Sequence, residues 1–205
     1  MVKLDLRKEL KHLYNPPAER FTLIDVPPMN FLMVDGHGDP NIVGSDFQAA
    51  MQILYPVAYT IKFAVKKARG LDFPVMPPEG LWWTGADGSL DPSRKDRWLW
   101  TMMLMQPEVV IAEDVAAALV SVRDKKNPTG LGRVRFERFA EGRSVQILYV
   151  GSYADEGPVI ARMHEFIREN GLQPAGKHHE IYLGDPRRTA PGKLKTVLRQ
   201  PVRRL

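Results

Sequence analysis

Glu180 lies in a short run, His178-His179-Glu180-Ile181-Tyr182-Leu183, that reads as a strand. Strands disfavour glutamate, and a buried carboxylate costs several kcal/mol unless it is paired or hydrogen-bonded. Alternation puts Glu180 and Tyr182 on one face and His178 and His179 on opposite faces. One reading is an exposed glutamate on an edge strand. Another is a carboxylate in a site. Desolvation would then raise its pKa toward the range of a general base. Kept ionised among aromatic rings, it would instead attract an organic cation.

Four tryptophans, Trp82, Trp83, Trp98 and Trp100, fall within nineteen residues. Some must serve a core, and stacking on a flat ligand is the alternative use for the rest. Tyr55 and Tyr59 lie one helical turn apart, on a stripe with Gln48, Gln52 and Lys62. That stripe is either a half-wet flank or a pocket wall. Tyr149 and Tyr153 sit beside Gly151, where a phenol could donate to a substrate oxygen.

Other chemistries find little support. There is no cysteine, so a disulfide framework, a thiolate zinc site and a cysteine nucleophile are excluded. His178-His179 has no third ligand at zinc spacing, and no metal is expected. No P-loop, dinucleotide fingerprint or G-x-S-x-G elbow occurs, and no cofactor is expected. No apolar run reaches the ~18 residues of a membrane span, and no apolar signal region opens the chain. The default expectation is a soluble cytoplasmic protein. The 29 Lys+Arg and 24 Asp+Glu leave +5. Residues 187–205 hold seven basic residues and no acid, so the rest carries 22 minus 24, or −2. A near-neutral body with one basic end argues against nucleic acid, which needs a dense basic surface.

These side chains need elements to hold them. A lead-in of residues 1–20 carries a short helical piece that ends at Pro16-Pro17. Strands are expected at 21–26 and 31–35, joined by Pro27-Pro28. Ser45 then caps a helix of about 45–68 that Pro56 should kink. Strands follow at 80–83 and 98–106, a helix at 112–126, and strands at 133–139 and 144–150. Asp155 caps a helix of about 156–170, and strands at 180–183 and 194–200 complete the chain. The same order occurs twice, with weak echoes such as Val34-Asp35-Gly36 and Tyr149-Val150-Gly151. The expected fold class is α+β. Two modules, 20–107 and 133–202, are joined by a linker helix region 108–132 and pack as a pseudo-twofold pair with antiparallel sheets and a ligand cleft between them. Glu180 then occupies the position that Gly80 holds in the first copy.

The chain resembles the stand-alone GyrI-like small-molecule-binding domain proteins. The resemblance rests on Pro28-Met29-Asn30-Phe31 with Asp35-Gly36-His37-Gly38-Asp39-Pro40, on Leu54-Tyr55 with Lys62-Phe63, and on Glu79-Gly80-Leu81-Trp82-Trp83. In the second half it rests on Gln146 through Tyr153, Glu180 through Pro186, and Lys193-Leu194-Lys195-Thr196. It implies a strand-helix-strand-strand (SHS2-type) module used twice, with the additional strand of each half an N-terminal strand broken by a turn. Similar domains in multidrug-sensing regulators bind aromatic, often cationic ligands around a central glutamate. The DNA-binding module of those regulators has no counterpart here.

Some stand-alone relatives hydrolyse cyclopropanoid genotoxins of the cyclopropylpyrroloindole type, using a pocket glutamate and aromatic residues. Glu180 matches that glutamate. The resemblance then implies that Glu180 deprotonates a water and that Tyr149 or Tyr182 stabilises the developing phenolate. Tyr182 is the better supported, because it shares the Glu180 face. Such relatives commonly carry histidine where this chain has Tyr149. Tyr55, Tyr59, Trp82, Trp83 and Trp100 would form the walls. The expected partner is an aromatic small molecule, with a homodimer left open. The alternatives are a protein that sequesters aromatic or cationic drugs without turnover, and a gyrase-inhibitor-like interaction protein.

Overall fold

Prolines at 16–17, 27–28 and 107 and Gly130 punctuate the chain, and the elements fall between them. The structure, a computed structural model, describes residues 2–205. In order, the chain forms β1 (Val2–Lys3), α1 (Leu6–Glu9), α2 (Lys11–Tyr14), β2 (Thr22–Val26), β3 (Met29–His37), α3 (Asp46–Arg69), β4 (Leu71–Asp72), β5 (Pro78–Trp83) and β6 (Leu99–Gln106). It continues with α4 (Ala112–Lys126), β7 (Arg135–Phe139), β8 (Gly142–Val150), α5 (Gly157–Glu169), β9 (Leu172–Pro174), β10 (His178–Tyr182) and β11 (Lys195–Arg204). The fold is α+β. No helix among the described residues is long and apolar enough to cross a membrane.

The main sheet runs β2-β8-β11-β10-β5-β6-β3-β7, with β9 added alongside β11. Every pairing in it is antiparallel. The two halves meet edge to edge at β5 and β10, so one continuous sheet runs through the molecule. The outer strands change sides. β2 precedes β3 in the chain yet pairs with β8, while β7 precedes β8 yet pairs with β3. This corrects the expectation of an N-terminal strand broken by a turn within its own half. Pro27 and Pro28 offer no N–H to a ladder, and the chain crosses to the other half there.

Helices α3 and α5 cover one face. Ala50, Ile53, Leu54, Val57, Ala58 and Ile61 of α3 are buried over the first half. Met163 and Ile167 of α5 are buried on Val145, Ile147 and Leu198 of the second. The period that buries them is the helical one. α3 is continuous through Pro56, and the Thr60 hydroxyl donates to the Pro56 carbonyl at 2.8 Å. Two expected caps differ in detail. The Ser45 hydroxyl makes no bond to the helix and donates to the Pro40 carbonyl. α5 starts after Glu156, because a short 3-10 turn takes up Tyr153–Asp155.

The other face is covered in its centre by the lead-in. Leu13 and Tyr14 are buried there, and beneath them lies an ion network. Glu79 accepts from the Tyr14 hydroxyl at 2.6 Å and meets His179 Nε2 at 3.0 Å. His179 Nδ1 meets Glu141 at 2.9 Å, and Arg199 donates to Glu141 at 3.0 Å and to the Leu13 carbonyl at 2.8 Å. With His179 protonated, two carboxylates balance two cations. Burial works against that charge, but Glu141 and Glu79 overcome it and raise His179 to about 9.

Candidate ligand and active site

The site grows from the β5–β10 pair. Its register sets His178 opposite Trp82 and Glu180 opposite Gly80. Alternation then places Gly80, Trp82, His178, Glu180 and Tyr182 on the face under α3 and α5. The next strand adds Trp100, paired with Trp82, and Met102, paired with Gly80.

A directed chain of hydrogen bonds links three of these residues. Trp82 Nε1–H donates to the Tyr182 hydroxyl oxygen at 2.9 Å. The Tyr182 hydroxyl donates to Glu180 Oε2 at 2.8 Å. The indole N–H and the phenol O–H are therefore both committed, and the carboxylate is held at one oxygen. Its other oxygen, Oε1, lies 3.4 Å from His178 Nε2. The Glu180 side chain is 14% exposed, so it is sheltered yet reachable. Gly80 makes this arrangement possible. A Cβ there would lie 2.7 Å from Trp82 Nε1 and 3.2 Å from Met102 Sδ.

Aromatic rings surround the chain. Phe47 stacks on Trp82 at 6.0 Å, and Trp98 meets it edge-on at 5.4 Å. Trp100 lies behind Trp82 at 6.4 Å. Its ring packs over Gly36, its partner on β3, where a Cβ would collide with it at 2.0 Å. Tyr153 meets Tyr182 edge-on at 5.6 Å. Burial, then the charges of Glu156 and Glu180, push the Tyr153 phenol up to about 12.

Glu156, at the start of α5, is the second carboxyl of the site. Burial first, then the charge of Glu180, push it up to about 9, with the Thr196 hydroxyl acting in the opposite sense. Burial and the neighbouring Glu180 thus favour the protonated form of its carboxyl, while Glu180 accepts the Tyr182 hydrogen bond. Sequence reasoning missed Glu156. It is separated from Glu180 by a helix and a strand, α5 and β9, and the β8–β11–β10 pairing brings them together. Seven buried side-chain N and O atoms have no hydrogen-bond partner among the described residues. Six of them belong to Trp100, Glu156, His164, His178 and Thr196. Buried polar groups are normally paired, and His178, on the Glu180 face, leaves both ring nitrogens without a hydrogen-bond partner among the described residues.

Tyr149 shares the Glu180 face, opposite Thr196, which in turn faces Tyr182, while the other candidate residues lie elsewhere. The Tyr149 hydroxyl is committed to the Ser152 carbonyl at 3.0 Å. Trp83 belongs to the opposite face, one residue on from Trp82, and carries Lys177 Nζ 3.4 Å from its ring centroid. Tyr55 and Tyr59 stack on each other at 6.4 Å along α3 and line a groove toward α4. No hydrogen bond or ring contact joins either tyrosine to Glu180, Tyr182 or Trp82 among the described residues.

A partly sheltered carboxylate inside an aromatic box is the arrangement of a small-molecule-binding protein. Residues 20–203 match the GyrI-like small molecule binding domain, and the chain belongs to that family. An uncharacterized conserved protein from Listeria innocua is 44% identical, with a TM-score of 0.88 over 98% of this chain and 100% of that one. A hydrolase from Listeria innocua is 41% identical, with a TM-score of 0.84 over the same shares, 98% and 100%. A hydrolase encoded by lin2189 from that organism is 42% identical, with a TM-score of 0.86, again over 98% and 100%. No curated protein matches the chain.

Proposed function

We propose that this protein is a hydrolase of flat, electrophilic aromatic molecules, with cyclopropylpyrroloindole-type genotoxins as the substrate class. The observation that carries the reading is the Trp82–Tyr182–Glu180 hydrogen-bond chain on the same side of the sheet as the buried Glu156 carboxyl. The hydrolase names of two relatives at 41% and 42% identity point the same way.

The substrate's spirocyclopropane is conjugated to a dienone. Glu180, through Oε1, takes a proton from a water whose oxygen attacks the cyclopropane methylene. A carbon–oxygen bond forms and the strained carbon–carbon bond breaks. Its electron pair aromatises the ring and arrives at the dienone oxygen as a phenolate. The Glu156 carboxyl donates a hydrogen bond to that oxygen, which develops charge only as the ring opens. The proton held by Glu180 restores the phenol, so one water is added overall. Tyr182 positions the base by holding Oε2. Tyr153 and Phe47 offer ring surface to the flat substrate, and the buried Trp82 and Trp100 back them. Tyr149 and Trp83 have no part in this mechanism.

The same box could hold an organic cation on Glu180 without turnover, a reading favoured by the absence of a Lys or Arg side chain paired with Glu180 among the described residues. Single-turnover mixing with a cyclopropylpyrroloindole separates the two. Hydrolysis predicts loss of the dienone absorbance and a mass gain of one water. Glu180→Gln should then slow the step by about 10²–10⁴-fold, the usual range for a general base. Tight binding to the wild type with no mass change would leave a sequestering protein.

A further inference from the structure

The groove between α3 and α4 plays no part in the Glu180 chemistry. It consists of two adjoining lobes, each of about 360 Å³, that share Tyr59, Thr60 and Lys125. Either lobe is large enough for one drug-sized molecule. Its α3 wall is a ladder of three rings. Tyr55 stacks on Tyr59 at 6.4 Å and 29°, and Tyr59 on Phe63 at 6.3 Å and 23°. Their i, i+4, i+8 spacing brings them to one side of the helix. Tyr59 is 46% and Phe63 58% exposed, an unusual amount of aromatic surface to leave in water at one place.

The opposite wall and the far end are cationic. Lys125 and Lys126 of α4 and Lys67 of α3 line the groove, and no carboxylate does. Lys62 and Lys66, on the same helix, are both paired with Asp72 at 2.8 Å. Lys67, Lys125 and Lys126 have no such partner among the described residues, and Asp124 on α4 is engaged by Arg123 at 3.4 Å. Stacked ring faces with three unneutralised ammonium groups select a flat molecule of negative charge.

We propose that the α3–α4 groove is a second ligand site, for a flat aromatic anion bearing a carboxylate, sulfonate or phosphate. Its charge preference is the reverse of the Glu180 box, and it stands whether or not that box catalyses hydrolysis. The aromatic body lies on the Tyr55–Tyr59–Phe63 ladder, and the acid group reaches the lysines.

The test uses 8-anilinonaphthalene-1-sulfonate as the probe and uncharged N-phenyl-1-naphthylamine as its control, both read by fluorescence on the full chain. The sulfonate should bind at least about tenfold more tightly than the neutral amine and weaken as salt is raised to about 0.5 M. Tyr59→Ser and the double variant Lys125→Ala/Lys126→Ala should each cost at least about tenfold in affinity. Both alter exposed positions, and an unchanged melting temperature confirms that they fold. Glu180→Gln should leave sulfonate binding as it is. Equal binding of the two probes, no binding of the sulfonate, or loss of binding in Glu180→Gln but not in the groove variants would overturn the proposal.

Discussion

His179 and Glu180 are consecutive residues whose side chains enter opposite interiors of the protein. His179 stands between Glu79 and Glu141 under the lead-in, and Glu180 lies among the rings under α3 and α5. The strand that presents the site carboxylate is thus anchored from behind by an ion pair one residue away. Removing one member of a buried pair leaves the others uncompensated and typically costs about 3–5 kcal/mol. His179→Leu should lose stability on that scale, as read by urea unfolding.

The same histidine sets a pH dependence. Its folded pKa of about 9 lies above its ordinary value of 6.5. The folded state then holds a proton that the unfolded state releases between those values. The contribution is fully present below pH 6.5 and lost as pH rises through about 9, a fall of about 3 kcal/mol at most. Urea midpoints measured across that range in a Glu156→Gln background isolate it. A flat profile would mean that His179 is neutral in its network.

Glu156→Gln should stabilise the protein near neutral pH. The folded pKa of Glu156, about 9, is raised from 4.5, so its own contribution to stability is greatest below 4.5 and declines as pH rises toward 9. Glutamine removes that penalty, and the expected gain is at most about 3 kcal/mol near neutral pH, closing toward pH 4.5. Loss of stability instead would show an ionised, paired Glu156. Because glutamine still donates a hydrogen bond, turnover should fall less than in Glu156→Ala.

Gly80→Ala tests the close approach of Trp82. The added methyl would displace the indole from the Tyr182 hydroxyl, and overpacking of this kind costs about 1–3 kcal/mol. The signature to look for is weakened ligand binding together with a change in tryptophan fluorescence.

Tyr182→Phe removes the acceptor of the Trp82 N–H and the donor to Glu180. A buried donor without a partner costs about 1–3 kcal/mol. Thermal unfolding reads that loss, and the single-turnover rate should fall while Glu180 is still present. An unchanged rate would separate Tyr182 from the orientation of the base.

Much of the local structure is legible in the sequence. Helical spacing finds α4 at Ala112–Lys126 and brings α3 and α5 within a residue or so of their ends. Alternation alone puts Glu180 and Tyr182 together. It also separates Trp82 from Trp83, although residue type groups them. What the sequence hides is long-range pairing. Glu156 reaches Glu180 only through two strand registers, and nothing local marks a glutamate at a helix start as a buried carboxyl. The ion network is hidden for the same reason. Glu79, Glu141, His179 and Arg199 come from four separate segments, and their charges suggest surface until the lead-in is folded over them.

The crossed outer strands have a consequence for how the chain must be assembled. Each half closes the far border of the other, β2 beside β8 and β7 beside β3. Neither half can finish its own sheet, so neither is a self-sufficient folding unit, however similar the two look. Cutting the backbone in the loop after α4 would not free two lobes. The pieces would stay clasped, each holding the other's border strand, and should reassemble from separately produced fragments.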